Sequence, residues 1–298
     1  MIWGELAAIG TAVCWSWTAI FFSYSGRLVG SDVVNRSRLI FAFLFLAITH
    51  WFLEGSFFPL GVEPFHWFWF AVSSILGLVL GDTFLFKAYV LIGPRLSMLL
   101  MSTVPIYSAL FGWLLFGETI SGAELGGILL AVAGIGWVVT EKQGPRPAVE
   151  HKRYKEGIFF GLLGALGQVT NLVTARYGLV GGYSSVSATI IRILVALIVL
   201  WALAAVRGQV GSTLRQWKHR QAFPAMIGGS IAGPFLGIWL SLIAIQLSRL
   251  GIASTLMALP PILLIPIEWV IYRKPFSLRG ITGTAVAFAG VALLFLPQ

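Results

Sequence analysis

The side chains of this sequence that can hold or exchange charge stand almost singly inside apolar runs. Arg192 lies about eight residues into the run 184–206, which at 1.5 Å per residue puts it roughly 12 Å deep. A charge at that depth in a bilayer costs at least about 2.5–3.5 kcal/mol, so it faces a cavity or a partner. Its planar fork of donors suits a carboxylate or phosphate; a structural pair with another run satisfies it equally. Asp82 lies in the run 66–90, and Arg36 and Arg38 lie at comparable depth in 32–53. An Asp82–Arg38 pair would satisfy both groups; alternatively Asp82 titrates and couples a proton. Glu268 and Lys87 lie only a few residues from the rim and read as snorkelling or rim pairs.

Neutral polar and aromatic groups accompany these charges. Gly161, Gly164, Gln168 and Asn171 recur at steps of three, four and three, so they share one helix face. Gln168 and Asn171 then point into a cavity or bond to a neighbouring helix. Trp15, Trp17 and Thr18 stand at similar depth in the run 3–25, away from the interface where tryptophan normally prospers. A shift of 151, which superposes Glu5 on Glu156, aligns Trp17 with Gln168. That makes Trp17 the preferred aromatic wall, with Tyr107 and Trp239 as further candidates.

No catalytic constellation is visible. The four histidines lie at run ends or in loops, no His-Glu-x-x-His occurs, and Gly81-Asp82 lacks the first glycine of an intramembrane aspartyl-protease motif. The single cysteine, Cys14, excludes an internal disulfide and a cysteine-based metal site. No cofactor or metal is expected, and no enzyme activity.

Composition decides the class. The 298 residues are 58% hydrophobic and 10% charged, against about 25% charged in a soluble domain. A water-exposed surface cannot be covered, so soluble enzymes and nucleic-acid binders are excluded. The apolar runs predict ten spans, near 3–25, 32–53, 66–90, 95–116, 120–140, 156–177, 184–206, 222–246, 250–272 and 277–297. The N-terminus lacks a basic region, so the first run is expected to remain as a span. The polar segment 142–155 separates five spans in 1–141 from five in 156–298.

The halves are related. A shift of 156 superposes Gly77 on Gly233, Gly81 on Gly237, Pro105 on Pro261 and Trp113 on Trp269, with 17 identities in the 63 positions from Ser74 to Gly136. Five spans is an odd number, so the second half enters the membrane opposite to the first. The predicted fold is an all-α membrane protein: ten transmembrane helices in two inverted five-helix repeats. Loops on one side hold fourteen basic residues and those on the other only Arg176 and Arg249. The positive-inside rule places the basic side in the cytoplasm of a cell membrane and both termini outside.

The stretch Pro105-Ile-Tyr-Ser-Ala-Leu-Phe-Gly-Trp-Leu-Leu-Phe-Gly-Glu118, followed by Gly127 and Ala133-Gly134, resembles the signature of the EamA-type drug/metabolite transporter superfamily. Ala12-Val-Cys-Trp15-Ser16 is similar to its Trp-Gly element, and Arg38 to its second-span arginine. The second half departs from the pattern, with Arg273-Lys274 in place of Gly-Glu and Leu166-Gly167 in place of Trp-Gly. The resemblance implies two inverted five-helix repeats around a central cavity that moves small metabolites, and cytoplasmic termini, against the charge count. One deep arginine with amide and aromatic neighbours favours a small anion or an amino-acid-like zwitterion. The expected partners are that small molecule, the bilayer and a proton if Asp82 titrates. The oligomeric state is left open by the sequence, a monomer being one possibility. A non-transporting scaffold or receptor is the competing class, but it would not need polar groups at midplane depth.

Overall fold

The computed structural model describes residues 2–107, 110–111, 122–140, 148–248, 253, 256–272 and 277–293. Among them every regular element is helical, as hydrocarbon requires, since each backbone N–H and C=O must be satisfied within its own segment. The first half supplies α1 (Ile2–Val29), α2 (Ser31–Glu54), α3 (Pro64–Ile92), α4 (Pro94–Met101) and α5 (Gly122–Val139). The second supplies α6 (Ala148–Gly178), α7 (Ser185–Val206), the short α8 (Val210–Gln216), α9 (Ala222–Leu247), α10 (Pro260–Tyr272) and α11 (Leu278–Leu293).

Six of these are long and apolar enough to cross a bilayer, α1, α2, α3, α7 and α9 with the Lys152–Gly178 part of α6. Three shorter apolar helices, Leu125–Val138, Pro260–Ile271 and Leu278–Leu293, fall in the expected fifth, ninth and tenth spans. Helix α4 opens the expected fourth span and the chain is helical again at 104–107. The Gly117-Glu118 and Arg273-Lys274 elements and Trp113 lie outside the described residues. Helix α6 begins at Ala148, so part of the polar segment between the halves is helical.

The tight connection between α3 and α4 follows from two residues. Gly93 has φ +83°, a conformation that costs a side-chain-bearing residue, and its N–H closes α3 on the Tyr89 carbonyl. Pro94 then starts α4, where its missing N–H is no loss.

Helices from the two halves pair across the molecule. Helix α1 packs along α9, α6 along α3, α2 along α7, and α5 along α11. Exchanging the halves maps this pairing onto itself. At the α5–α11 crossing a Cβ on Gly134 would overlap the backbone of Ala287, and one on Gly290 would overlap Ala131. Ala131 and Ala287, like Gly134 and Gly290, are 156 apart. Small residues let the backbones touch, and van der Waals contact replaces the hydrophobic drive that lipid removes.

Both α3 and α9 contain a π-helical stretch, Ile75–Gly81 and Ile231–Gly237. These stretches are also 156 residues apart, at the two Gly-x-x-x-Gly pairs. Pro234 sits inside the second, where its missing N–H breaks the ordinary ladder. π-Helical turns concentrate at functional sites.

Candidate functional site

At the π-helical stretches, too, the halves cross in close contact. In α3, Gly77 abuts Asn171 of α6, and Gly81 abuts Gly167. In α9, Gly233 abuts Thr18 of α1, and Gly237 abuts Trp15. Between these crossings lies a cavity of about 60 Å3 lined by Trp15, Thr18, Arg38, Asp82, Gln168, Asn171 and Arg192 among others. A void of roughly 10–15 Å3 on this measure admits one water, so several waters or a small polar ligand fit.

Two hydrogen-bonded groups of charge face this space. In the first, Arg38 donates from Nη2 to Asp82 Oδ2 at 2.5 Å, and from Nε to Asn35 Oδ1 at 2.9 Å. Asn35 donates in turn to Thr83 Oγ1 at 3.0 Å, and the guanidinium lies 4.8 Å from the centroid of the Phe86 ring. Both of its hydrogen-bond partners and the ring hold this arginine in place. Arg38 is 3% exposed.

The second group is Arg192, 2% exposed and on α7. Its Nη2 donates to Asn171 Oδ1 at 2.5 Å, and its Nε is buried with no partner among the described residues. Asn171 is fixed by Ser73, which donates to its Oδ1 at 2.7 Å, and it donates from Nδ2 to Gln168 Oε1 at 3.2 Å. Ser74 donates to the Arg192 carbonyl at 2.6 Å, tying α7 to the start of the α3 π-helical stretch. Arg192 therefore has a neutral amide where a carboxylate would be expected. With Arg38, Asp82 and Arg192 as the charged groups on its wall, the cavity carries one net positive charge. In low dielectric the electrostatic contacts of such a wall are strong.

A family model described as the EamA-like transporter family matches residues 2–140 and again 155–296. The chain belongs to the EamA-like transporter family. This EamA-like protein is thus a multi-pass membrane protein built from two copies of one unit, and its family is one of transporters rather than enzymes. No curated protein sequence matches the chain. A solved structure titled "Crystal structure of protein" is similar over 98% of this chain and 96% of its own length, with a TM-score of 0.66 at 20% identity. That likeness shows a shared fold.

In the EamA-like protein the structure gathers Trp15, Thr18, Arg38, Asp82, Gln168, Asn171 and Arg192 around one space. It places three other candidate residues elsewhere. Trp17 is 40% exposed and stacks on Phe21 at 6.0 Å, on the outward side of α1. Two residues turn a helix by about 200°, so Trp15 and Trp17 face opposite ways. The contacts of Thr18 and Asn171 with Gly233 and Gly77 set the α1–α6 correspondence at 153, which pairs Trp15 with Gln168. Tyr107 packs against Val104, Ala165, Val169 and Leu172, and Trp239 donates to Ser185 Oγ at 3.3 Å. Arg36 bonds to Gln209 at 2.7 Å, away from Asp82.

Residues of the site that sequence reading passed over are Ser73, Ser74, Asn35 and Tyr89. Asn35 had a signal, its i, i+3 spacing to Arg38. Ser73-Ser74 directly precedes Ile75 in an otherwise apolar run, which is the pattern of a polar group placed for a partner on another helix.

Proposed function

We propose that this EamA-like protein is a secondary transporter that moves a small anion or zwitterion through the cavity between its two copies. Arg192 anchors the anionic group, Gln168 and Asn171 orient it, and Trp15 and Thr18 form the opposing wall. The observation that carries this reading is the buried Arg192 guanidinium, with a neutral amide as its partner and an unanswered Nε among the described residues, beside a cavity. A purely structural arginine at this depth would be stabilised by a carboxylate, as Arg38 is by Asp82.

Five spans per copy make the copies inverted. Exchanging two such copies about the site exposes it alternately to either side. The charge count puts the basic loops in the cytoplasm and both termini outside a cell membrane. Export is the direction we propose. The pair Arg38–Asp82 holds α2 against α3, and Asp82 is the group through which a proton would couple.

The test is uptake and counterflow in proteoliposomes with a panel of amino acids, sugar phosphates and quaternary amines, with and without a pH gradient. An anionic or zwitterionic compound is the expected substrate. Arg192→Ala and Gln168→Ala should abolish its flux while the protein still elutes as a monodisperse peak. Arg192→Lys should lose about tenfold or more in flux, because an ammonium cannot serve Asn171 and the ligand with one planar fork. Normal flux in all three variants would remove the site.

A further inference from the structure

We infer that the ligand of this site is an amphiphilic monoanion, a small carboxylate carrying an apolar side group. The inference rests on the anionic reading of the cavity above and adds what lies beside it. A second chamber of about 40 Å3 adjoins the charged one. The two share Trp15, Met98, Met101, Gln168 and Leu172 as walls. Beyond these the second chamber is closed by Val104, Pro105, Met257, Ala258 and Pro260, with Ser102 as a further polar residue. Among the described residues no charged side chain lines it.

The chemistry of that lining is specific. Three of the five methionines in the chain, Met98, Met101 and Met257, wall this chamber. Methionine is unbranched and polarizable, so it reshapes around apolar groups of different outline. Met101 and Met257 are 156 residues apart, as are Pro105 and Pro261. Each copy therefore contributes the equivalent methionine of its fourth span from opposite sides, and the chamber sits at the seam where the copies would part.

Gln168 and Trp15 stand at the boundary. Gln168 accepts from Asn171, which in turn receives Arg192, and Gln168 also lines the apolar side. A ligand with its carboxylate at Arg192 thus has its side group directed past Gln168 and the Trp15 ring to the methionines. A bare anion would leave the second chamber unfilled, and a neutral apolar molecule would leave Arg192 unanswered.

The test is equilibrium binding of straight-chain monocarboxylates from acetate to octanoate to the purified full chain, with the matching primary amides as the control for partition into detergent. Affinity should rise about two- to fourfold per methylene until the chamber fills, and then level off. Ala258→Phe, or Ala258→Leu should the larger residue prevent folding, should bring that plateau at least two carbons earlier. The amides should bind at least tenfold more weakly at every length. Carboxylates that bind equally at all lengths would overturn this inference and leave the anionic site standing. A length dependence shared by the amides and unmoved by the Ala258 variants would do the same. Absence of binding by every carboxylate, acetate and octanoate alike, would overturn this inference, and the anionic reading falls only if no anionic or zwitterionic compound of the proteoliposome panel is transported.

Discussion

Arg38 and Arg192 are both buried arginines lining one cavity, yet their surroundings assign them different work. Arg38 has a carboxylate, an amide and an aromatic ring, and so is answered by the protein. Asp82→Asn removes the negative charge that the cavity wall presents to it and strands Arg38. A broken buried pair costs about 3–5 kcal/mol, so thermal unfolding in detergent should show a large drop in stability. Arg192→Ala removes a guanidinium whose side-chain hydrogen-bond partner is the neutral Asn171, and Asp82 keeps its pairing with Arg38, so it should cost much less. Equal losses in the two variants would deny the distinction. These positions were legible in the sequence because charge inside an apolar run is a rare event with few explanations. The role of Asn171 as mediator was not, since an amide on a helix face reads equally as packing or as lining. The register of Trp15 was lost for a related reason. Glu5 and Glu156 mark the edges of their apolar runs, where the water interface decides the residue, whereas Thr18 and Asn171 mark the packed interior, where the opposing glycine does.

At the scale of elements, the cavity exists because α3 and α9 widen into π-helical stretches where α6 and α1 cross them. A Cβ on Gly81 would meet Leu76 O at 3.2 Å and Gly167 Cα at 3.3 Å, a tight fit. One on Gly167 would come within 2.6 Å of Gly81 Cα, so the backbone must move. Overpacking of this kind costs about 1–3 kcal/mol. Gly167→Ala should therefore lower the unfolding temperature clearly more than Gly81→Ala, and the reverse order would contradict the crossing described. The Gly-x-x-x-Gly pairs predict close packing, and close packing is present. They carry no mark of the π-helical geometry, because Pro234 interrupts the backbone ladder of α9 and the α3 stretch has no counterpart to it. Helix limits are legible where apolar runs end in Gly, Pro or charge, as at Gly55 and Gly93. They are less so at Ala148, where a polar segment continues a helix that hydropathy cannot see.

For the whole molecule, the duplication is visible as identities at a constant shift and is matched by the family model over both halves. The structure adds that the halves interlock, α1 packing along α9 and α6 along α3. The central claim is that the space between them opens in turn to each side of the membrane. Ser241→Cys, at a cavity-lining position outside the proposed binding groups and placed in a Cys14→Ser background so that it is the sole thiol, reports on that directly. In right-side-out and inside-out vesicles, a membrane-impermeant thiol reagent should modify that thiol from both sides, at rates that fall when a transported anion is present. Modification from neither side, or from one side only under every condition, would contradict the account.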